Sequence, residues 1–311
     1  MNSLPIIDFE SFRQNQISSS LTRQQIADQI ATACESIGFF YLAQHGIAPG
    51  LIEAAFEQSV QFFQLPSEVK SALAWTHTES NLGYVAVGRE SLNPGKTVDV
   101  KEAFNIGSDE NPLNPNRWPD IPTFRPALKA FYQAANELAW DVLRAFALGL
   151  GLPEDFFVQF HRQPIHTLRL LHYPPHLGAP ENKPANAIRA GEHSDYGSVT
   201  LLFQDQRGGL EVKTPAGRWV AAVPMPGTVL VNIGDLMQRW TCDRFRSTPH
   251  RVVLPQGDAA GQSRYSMALF CDPDPDTVVT ALPTAAQGLG TVHYSPITAG
   301  DYLKERLRAT Y

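Results

Sequence analysis

Along the first half of the chain, apolar residues recur at spacings of three and four, the period of a helix with one buried face. The longest such run is Thr123–Leu150, where Leu128, Phe131, Ala135, Leu138, Val142 and Phe146 form one stripe. It predicts the longest helix, packed on a core. Another helix is predicted over Leu21–Ile37, with Ile26, Ile30, Ala33 and Ile37 on one face, Ser20 or Thr22 as cap and Gly38 as stop. A third runs from Gly50 to Gln64 with Leu51, Ala55, Phe56, Phe62 and Phe63 inward, and Pro66 opens a further turn or helix. Short strands are predicted at Leu4–Asp8 and Gly38–Leu42. Residues 76–123, punctuated by Gly and Pro, read as a long loop region, and loops of that length are usually functional.

From Ile165 the texture changes to short strand-like segments between Gly/Pro turns. These are Thr167–Tyr173, Ala187–Asp195, Val199–Phe203, Leu210–Val212, Trp219–Ala222, Thr228–Ile233, Val252–Leu254, Arg264–Phe270 and Thr277–Val279. Strands at this spacing point to an antiparallel sandwich or jelly roll. A helix over Ala299–Ala309, capped by Thr298, closes the chain. The fold class is mixed α and β, a jelly-roll core with N-terminal and flanking helices. Residues 1–311 read as one unit: a helix-rich region 1–160, a jelly roll 161–282 and a C-terminal helical segment 283–311. Such helices need a sheet face to bury against.

Composition narrows the function. Of 311 residues, 43% are hydrophobic and 18% charged, as in a globular enzyme with a sizeable core. The formal charge of −6, with no Lys/Arg cluster, argues against nucleic acid or an anionic membrane as partner and leaves a small molecule. Cys34, Cys242 and Cys271 are far apart and odd in number, which suits reduced thiols. The first residues lack a basic, apolar leader, and no run reaches the length of a membrane span. Together these features read as cytoplasmic.

The strand ending at Asp195 contains His193-Ser-Asp195, and side chains at i and i+2 of a strand point the same way, so the imidazole and carboxylate are both expected to face the barrel interior. Two neutral nitrogens and one carboxylate oxygen on one face of a metal leave three coordination positions open, the facial triad of non-haem Fe(II) oxygenases. His250, in Ser247-Thr-Pro-His250-Arg-Val-Val, is the candidate third ligand from a neighbouring strand. With nine His and 31 acids, about one H-x-[D/E] triplet arises by chance, and His77-Thr-Glu79 is a second match. That one has no strand pattern around it and no further histidine until His161.

Fourteen residues past His250, Arg264 and Ser266 again stand at i and i+2. A guanidinium fork and a hydroxyl together can grip a carboxylate. Tyr173 can add a second hydroxyl. Fe(II) with two neutral His and one Asp carries +1, and Arg264 adds another positive charge. A dianionic 2-oxo acid would match both.

The chain resembles the isopenicillin N synthase-like branch of the Fe(II)/2-oxoglutarate-dependent oxygenases from end to end. The matching segments include Leu4-Pro-Ile-Ile-Asp8, Gly38-Phe-Phe-Tyr-Leu-Ala-Gln-His-Gly-Ile47, Asp99-Val-Lys-Glu-Ala-Phe104, His193-Ser-Asp-Tyr-Gly197, Asn232-Ile-Gly-Asp235, Ser247-Thr-Pro-His-Arg-Val252 and Arg264-Tyr-Ser266. The resemblance implies a double-stranded β-helix and iron on His193, Asp195 and His250. It also implies 2-oxoglutarate on Arg264, Ser266 and Tyr173, and O2-dependent oxidation of a C–H bond with release of succinate and CO2. Leu171, where many members have Asn, and Gln44, where Asn usually precedes His-Gly, depart from the pattern.

Tyr84, Arg89 and Glu90 in the long loop region are the candidate substrate contacts. His172 and His176 flank Pro174-Pro175 and read as exposed turn residues, and His45 as structural. Met237, Arg239 and Trp240 fit either the substrate side or core packing. Three other readings stay open: a member that oxidises its own carboxylate substrate, one that fragments 2-oxoglutarate to ethylene, and a non-catalytic small-molecule binder on the same fold.

Overall fold

Two sheets face each other across an interior that both line with apolar side chains. The computed structural model describes residues 3–13, 20–75, 81–89, 98–111, 114–162, 165–175, 187–254, 261–282 and 294–310. Among these, the larger sheet has eight strands. Edge to edge they run β1 (Ile6–Asp8), β2 (Phe39–Ala43), β12 (Thr228–Ile233), β9 (Val199–Gln204), β14 (Arg264–Cys271), β6 (Thr167–Tyr173), β5 (Glu102–Ile106) and β3 (Gly83–Val85). The smaller sheet is β11 (Trp219–Ala221), β10 (Leu210–Lys213), β13 (His250–Val252) and β8 (Ala190–His193). Two short pairs complete the strands: β4 (Val98–Asp99) with β7 (Ala187–Ile188), and β15 (Val278–Val279) with β16 (Ile297–Thr298). This is the expected jelly roll.

Five helices come from the first half: α1 (Glu10–Arg13), α2 (Ser20–Ser36), α3 (Pro49–Phe63), α4 (Ser67–Ala72) and α5 (Phe124–Gly149). In the second half lie α6 (Asp235–Trp240) and α7 (Ala299–Thr310). All six stripe residues of α5 are fully buried. Phe131 of α5 meets Phe203 of β9 edge to face at 4.9 Å, so the helix lies on the outer face of the large sheet. Each such large apolar side chain contributes roughly 1.5–3 kcal/mol by leaving water. α2 ends where the sequence indicated. Gly38 is left-handed (φ +69°), and a Cβ there would stand 2.0 Å from the carbonyl oxygen of Arg246. The cap predicted for α7 also forms, with the Asp301 amide donating to Thr298 Oγ1 at 3.1 Å.

The structure corrects several expectations. Residues 76–123 contain β3, β4 and β5, not loop alone, and β5 is wholly buried. Its partner β6 is about sixty residues away in sequence, and such non-local pairing leaves little local signature. β1, β2, β3 and β5 all join the large sheet, so the helix-rich first part and the barrel share one sheet. The strand expected at Val252–Leu254 is His250–Val252, and the one expected to run through Asp195 stops at His193. No helix among the described residues is long and apolar enough to cross a membrane.

Candidate active site

His193 and His250 are cross-strand partners on β8 and β13, with ring centroids 4.3 Å apart. Asp195 joins them from the turn beyond β8, not from the strand itself. That turn is clamped to the loop before α6: the Asp235 amide donates to the Asp195 carbonyl at 2.7 Å, and the Gly234 amide to the Ser198 carbonyl at 3.1 Å. Ligating atoms of His193, Asp195 and His250 all lie within 4.8 Å of one another.

Each of the three is oriented by a second contact. His193 Nδ1 is 2.7 Å from the Gly191 carbonyl oxygen and His250 Nδ1 is 3.2 Å from that of Thr248, so both rings can present Nε2. Asp195 Oδ2 accepts from Thr200 Oγ1 at 2.6 Å and Asn232 Nδ2 at 2.7 Å. That leaves Oδ1, which is 3.8 Å from His250 Nε2. Burial and then the neighbouring His250 push the His193 imidazole below its ordinary value, towards the neutral form a metal needs. Burial alone would raise the Asp195 carboxyl, but the two imidazoles and the bonds from Asn232 and Thr200 outweigh it and hold the group low. The donor set and its preset orientation fit an Fe(II) ion with open positions.

The three border a cavity of about 370 Å³ whose long wall is the β6/β14 pair. Four cross-strand pairs line it in order: Tyr173 with Arg264, Leu171 with Ser266, Arg169 with Ala268, and Thr167 with Phe270. Arg264 is 1% exposed. Its Nη1 lies 3.3 Å from Ser266 Oγ, its Nη2 donates to Gln204 Oε1 at 2.9 Å, and its Cζ lies 4.8 Å from the Tyr173 ring centre. Its Nε has no partner among the described residues. The predicted carboxylate grip of Arg264, Ser266 and Tyr173 is thus brought together at one end of the cavity, with donor capacity left over.

Sequence reasoning missed other residues around the cavity. Thr200, Asn232 and Gln204 lie on strands it found, but which residues they hold could not be read along the chain. Lys101 lines the cavity with its Nζ 3.3 Å from Asp99 Oδ2, while Asp99 Oδ1 accepts from the Gly191 amide at 2.9 Å. Asp272 also lines it, its carboxyl raised to about 7 by burial and by Asp195. A Cβ at Gly197 would stand 1.9 Å from Asp272 Oδ1, so a larger residue there would push that carboxylate aside. α7 covers part of the cavity with Leu303, Lys304 and Leu307. It is tied to the loop after β12 through Tyr302 Oη and Arg306, both on Asp235 Oδ2, at 3.1 and 3.4 Å.

Other candidates lie elsewhere. Tyr84 is buried under α3 with its hydroxyl on Glu102 Oε2 at 2.5 Å and does not line the cavity. A β-strand alternates faces, and Tyr84 is on the outward one. Arg89 stacks on Trp75 at 4.0 Å and does not line it either. Glu90, His176, His77 and Glu79 lie outside the described residues. His172 is not an exposed turn residue: it is buried on β6, with Nδ1 on Glu102 and Nε2 on Ser263. Met237 and Trp240 pack in the core, and Arg239 caps the Ser295 carbonyl. His45 is buried, its Nδ1 accepting from the Ile47 amide at 3.2 Å, in keeping with a structural role.

Comparison with known proteins places the chain in a family. Residues 4–121 match the family described as non-haem dioxygenase in morphine synthesis N-terminal, and residues 164–273 match the 2OG-Fe(II) oxygenase superfamily. The chain is 36% identical over 334 residues to the 2-oxoglutarate-Fe(II) type oxidoreductase ppzD of Metarhizium majus, covering 98% of this chain and 94% of that protein. It is 34% identical over 303 residues to the proline hydroxylase buaE of Petromyces alliaceus, covering 93% and 94%. Among solved structures, a full-length Neurospora crassa protein in complex with alpha-KG and thymine superposes with a TM-score of 0.90 at 38% identity, covering 99% and 97%. The chain belongs to the 2OG-Fe(II) oxygenase superfamily, in its isopenicillin N synthase-like branch. It is an Fe(II)- and 2-oxoglutarate-dependent dioxygenase.

Proposed function

We propose that His193, Asp195 and His250 hold the Fe(II), that Arg264, Ser266 and Tyr173 hold the far carboxylate of 2-oxoglutarate, and that the substrate is a small polar ring compound. The observation that carries this reading is the convergence of ligating atoms from two imidazoles and one carboxylate on a cavity that is also lined by a buried guanidinium with unused donors. With iron bound, the site supplies O2-dependent decarboxylation of 2-oxoglutarate to succinate and CO2 coupled to oxidation of a C–H bond. The chain's own residues do the positioning. Thr200 and Asn232 fix the carboxylate, Gly191 and Thr248 fix the rings, and the β6/β14 pair spaces the carboxylate grip from the opposite end of the cavity. Leu171, Leu202 and Val252 give the wall an apolar lining that limits water.

The opposite end is where we place the substrate. Thr167 and Phe270 stand there with Arg169 next along the strands, and Tyr196 follows the Asp195 turn. Aromatic rings and a guanidinium suit a flat, hydrogen-bonding molecule. The Neurospora crassa structures hold thymine and 5-formyluracil, which supports that class. The test is a panel of pyrimidine bases, cyclic amino acids and aliphatic controls, scored by substrate-dependent succinate release with Fe(II) and O2. A ring compound oxidised with one succinate per turnover is the expected result. Turnover without succinate, or ethylene in the headspace without any substrate oxidised, would overturn the reading.

A further inference from the structure

Arg189 and Arg264 are the most deeply buried arginines described, at 2% and 1% exposure. Partly exposed arginines such as Arg13, Arg144 and Arg244 each have a carboxylate partner. Neither Arg189 nor Arg264 has one within ion-pair distance among the described residues. Among the described residues, Arg189 donates from Nη2 to the Gln262 carbonyl at 3.1 Å, and its Nε has no partner. Its guanidinium lies 5.9 Å from the centre of the Tyr173 ring, the same ring that Arg264 approaches at 4.8 Å. Asp205, whose charge does act on Arg189, is beyond ion-pair distance, and its oxygens accept the backbone amides of Arg207 and Tyr265. Two buried cations thus share one aromatic ring, and among the described residues no carboxylate pairs with either.

A buried charge without a counter-charge is strongly unfavourable, and a protein keeps one where a ligand supplies the opposite sign. Resting on the co-substrate reading above, we infer that Arg189 is a second cation of the 2-oxo acid pocket, a positioning residue that acts through Tyr173 and Arg264 to select a dianionic 2-oxo acid. Arg189 does not line the cavity, so it does not itself grip the carboxylate. It raises the positive potential where that carboxylate is held, and it ties the approach to β8 to the start of β14 through Gln262. Burial, and then the charge on Arg264, push the Arg189 guanidinium below its ordinary value, as two uncompensated neighbours should. A ligand with only one negative charge gains nothing from this second cation.

Binding tests the inference without turnover. Calorimetric titration of the anaerobic Fe(II)-loaded protein with 2-oxoglutarate is compared with 2-oxopentanoate, which keeps the chelating end and lacks the far carboxylate, its affinity read by competition. Arg189→Gln should weaken 2-oxoglutarate roughly five- to thirtyfold, the reach of one cation across a ring in a partly screened interior, and leave 2-oxopentanoate unchanged. Arg189→Lys should recover most of the loss. Arg189→Met, which keeps the buried stem and drops the charge, replaces Arg189→Gln if that variant does not fold. Equal weakening of both acids would mean a purely structural role and overturn the inference, as would no weakening of either. Arg264→Gln is run in parallel. If it weakens 2-oxoglutarate and the Arg189 variants do not, the co-substrate reading stands and this inference falls. If Arg264→Gln changes nothing, the reading beneath both is what has failed.

Discussion

The two faces of the large sheet are built from the same strands and used in opposite ways. On β14, Tyr265, Met267, Leu269 and Cys271 go to the outer face under the helices, and Arg264, Ser266, Ala268 and Phe270 to the cavity. β6 alternates likewise, with Leu168, Leu170 and His172 outward and Arg169, Leu171 and Tyr173 inward. Both faces bury polar groups. On the outer face the carboxylate of Glu102 is saturated, taking Lys70 at 2.7 Å, Tyr84 at 2.5 Å and His172 at 2.7 Å. On the inner face the guanidinium of Arg264 has, among the described residues, an unpartnered Nε and no carboxylate. The two groups differ not in burial but in whether their hydrogen bonds are spent and in which way they face. The saturated Glu102 cluster braces the fold, whereas Arg264, with donors to spare, lines the cavity.

The comparison is broken most sharply at the metal. His193→Ala, Asp195→Ala and His250→Ala should each lose iron and abolish turnover while the thermal midpoint of the apoprotein stays close to that of the parent. Metal analysis and activity of the purified proteins decide it, and near-normal turnover in any one removes that residue from the site. His77→Ala and Glu79→Ala are the controls and should keep iron.

The outer face should respond in the opposite sense. Glu102→Ala strands Lys70 in a site where the two side chains are 10% and 7% exposed. Breaking a buried pair from one side typically costs on the order of 3–5 kcal/mol. Urea unfolding should show that loss while iron content of the folded fraction is unaltered. A drop well short of that range would mean that the cluster is not the brace its saturation suggests.

Arg264→Lys probes the inner face more gently. The charge remains but the planar fork is gone, so one charge-assisted hydrogen bond to the co-substrate should be lost, worth roughly 1.5–3 kcal/mol or ten- to hundredfold in the KM for 2-oxoglutarate. Iron content should not change. An unchanged KM would take the carboxylate grip away from Arg264.

The last test is a pH dependence set on the outer side. Burial pushes His161 down to about 4, and burial together with His161 pushes His166 down to about 3, from an ordinary 6.5. Between those values the unfolded chain binds protons that the folded protein refuses. The stability from keeping both neutral is therefore complete above pH 6.5 and is lost progressively as pH falls towards 4 and then 3. The thermal midpoint should fall across that window, and His161→Asn should flatten the upper part of the fall. A midpoint equally steep in the variant would assign the acid transition to other groups.

How much of this could be read along the chain depends on how local each signal is. Periodicity placed α2, α3, α5, α7 and most of the barrel strands within a residue or two, because burying one face of a helix or strand stamps a period on consecutive residues. His193, Asp195, His250, Arg264, Ser266 and Tyr173 were legible because each stands in a short segment whose order along the chain is itself a signal. The sequence alone therefore determined the fold class and the type of chemistry, and it singled out the residues proposed to carry it. Only the tertiary structure decided that Asp195 sits in a turn held by Asn232 and Thr200, that Tyr84 and His172 face a saturated outer cluster, and that Arg189 lies behind Tyr173. Those facts depend on which strands pair and in what register. A shift of one residue in register would turn Thr200, Asn232, Tyr84 and His172 to the other face, and the apolar content of the strand would hardly record it.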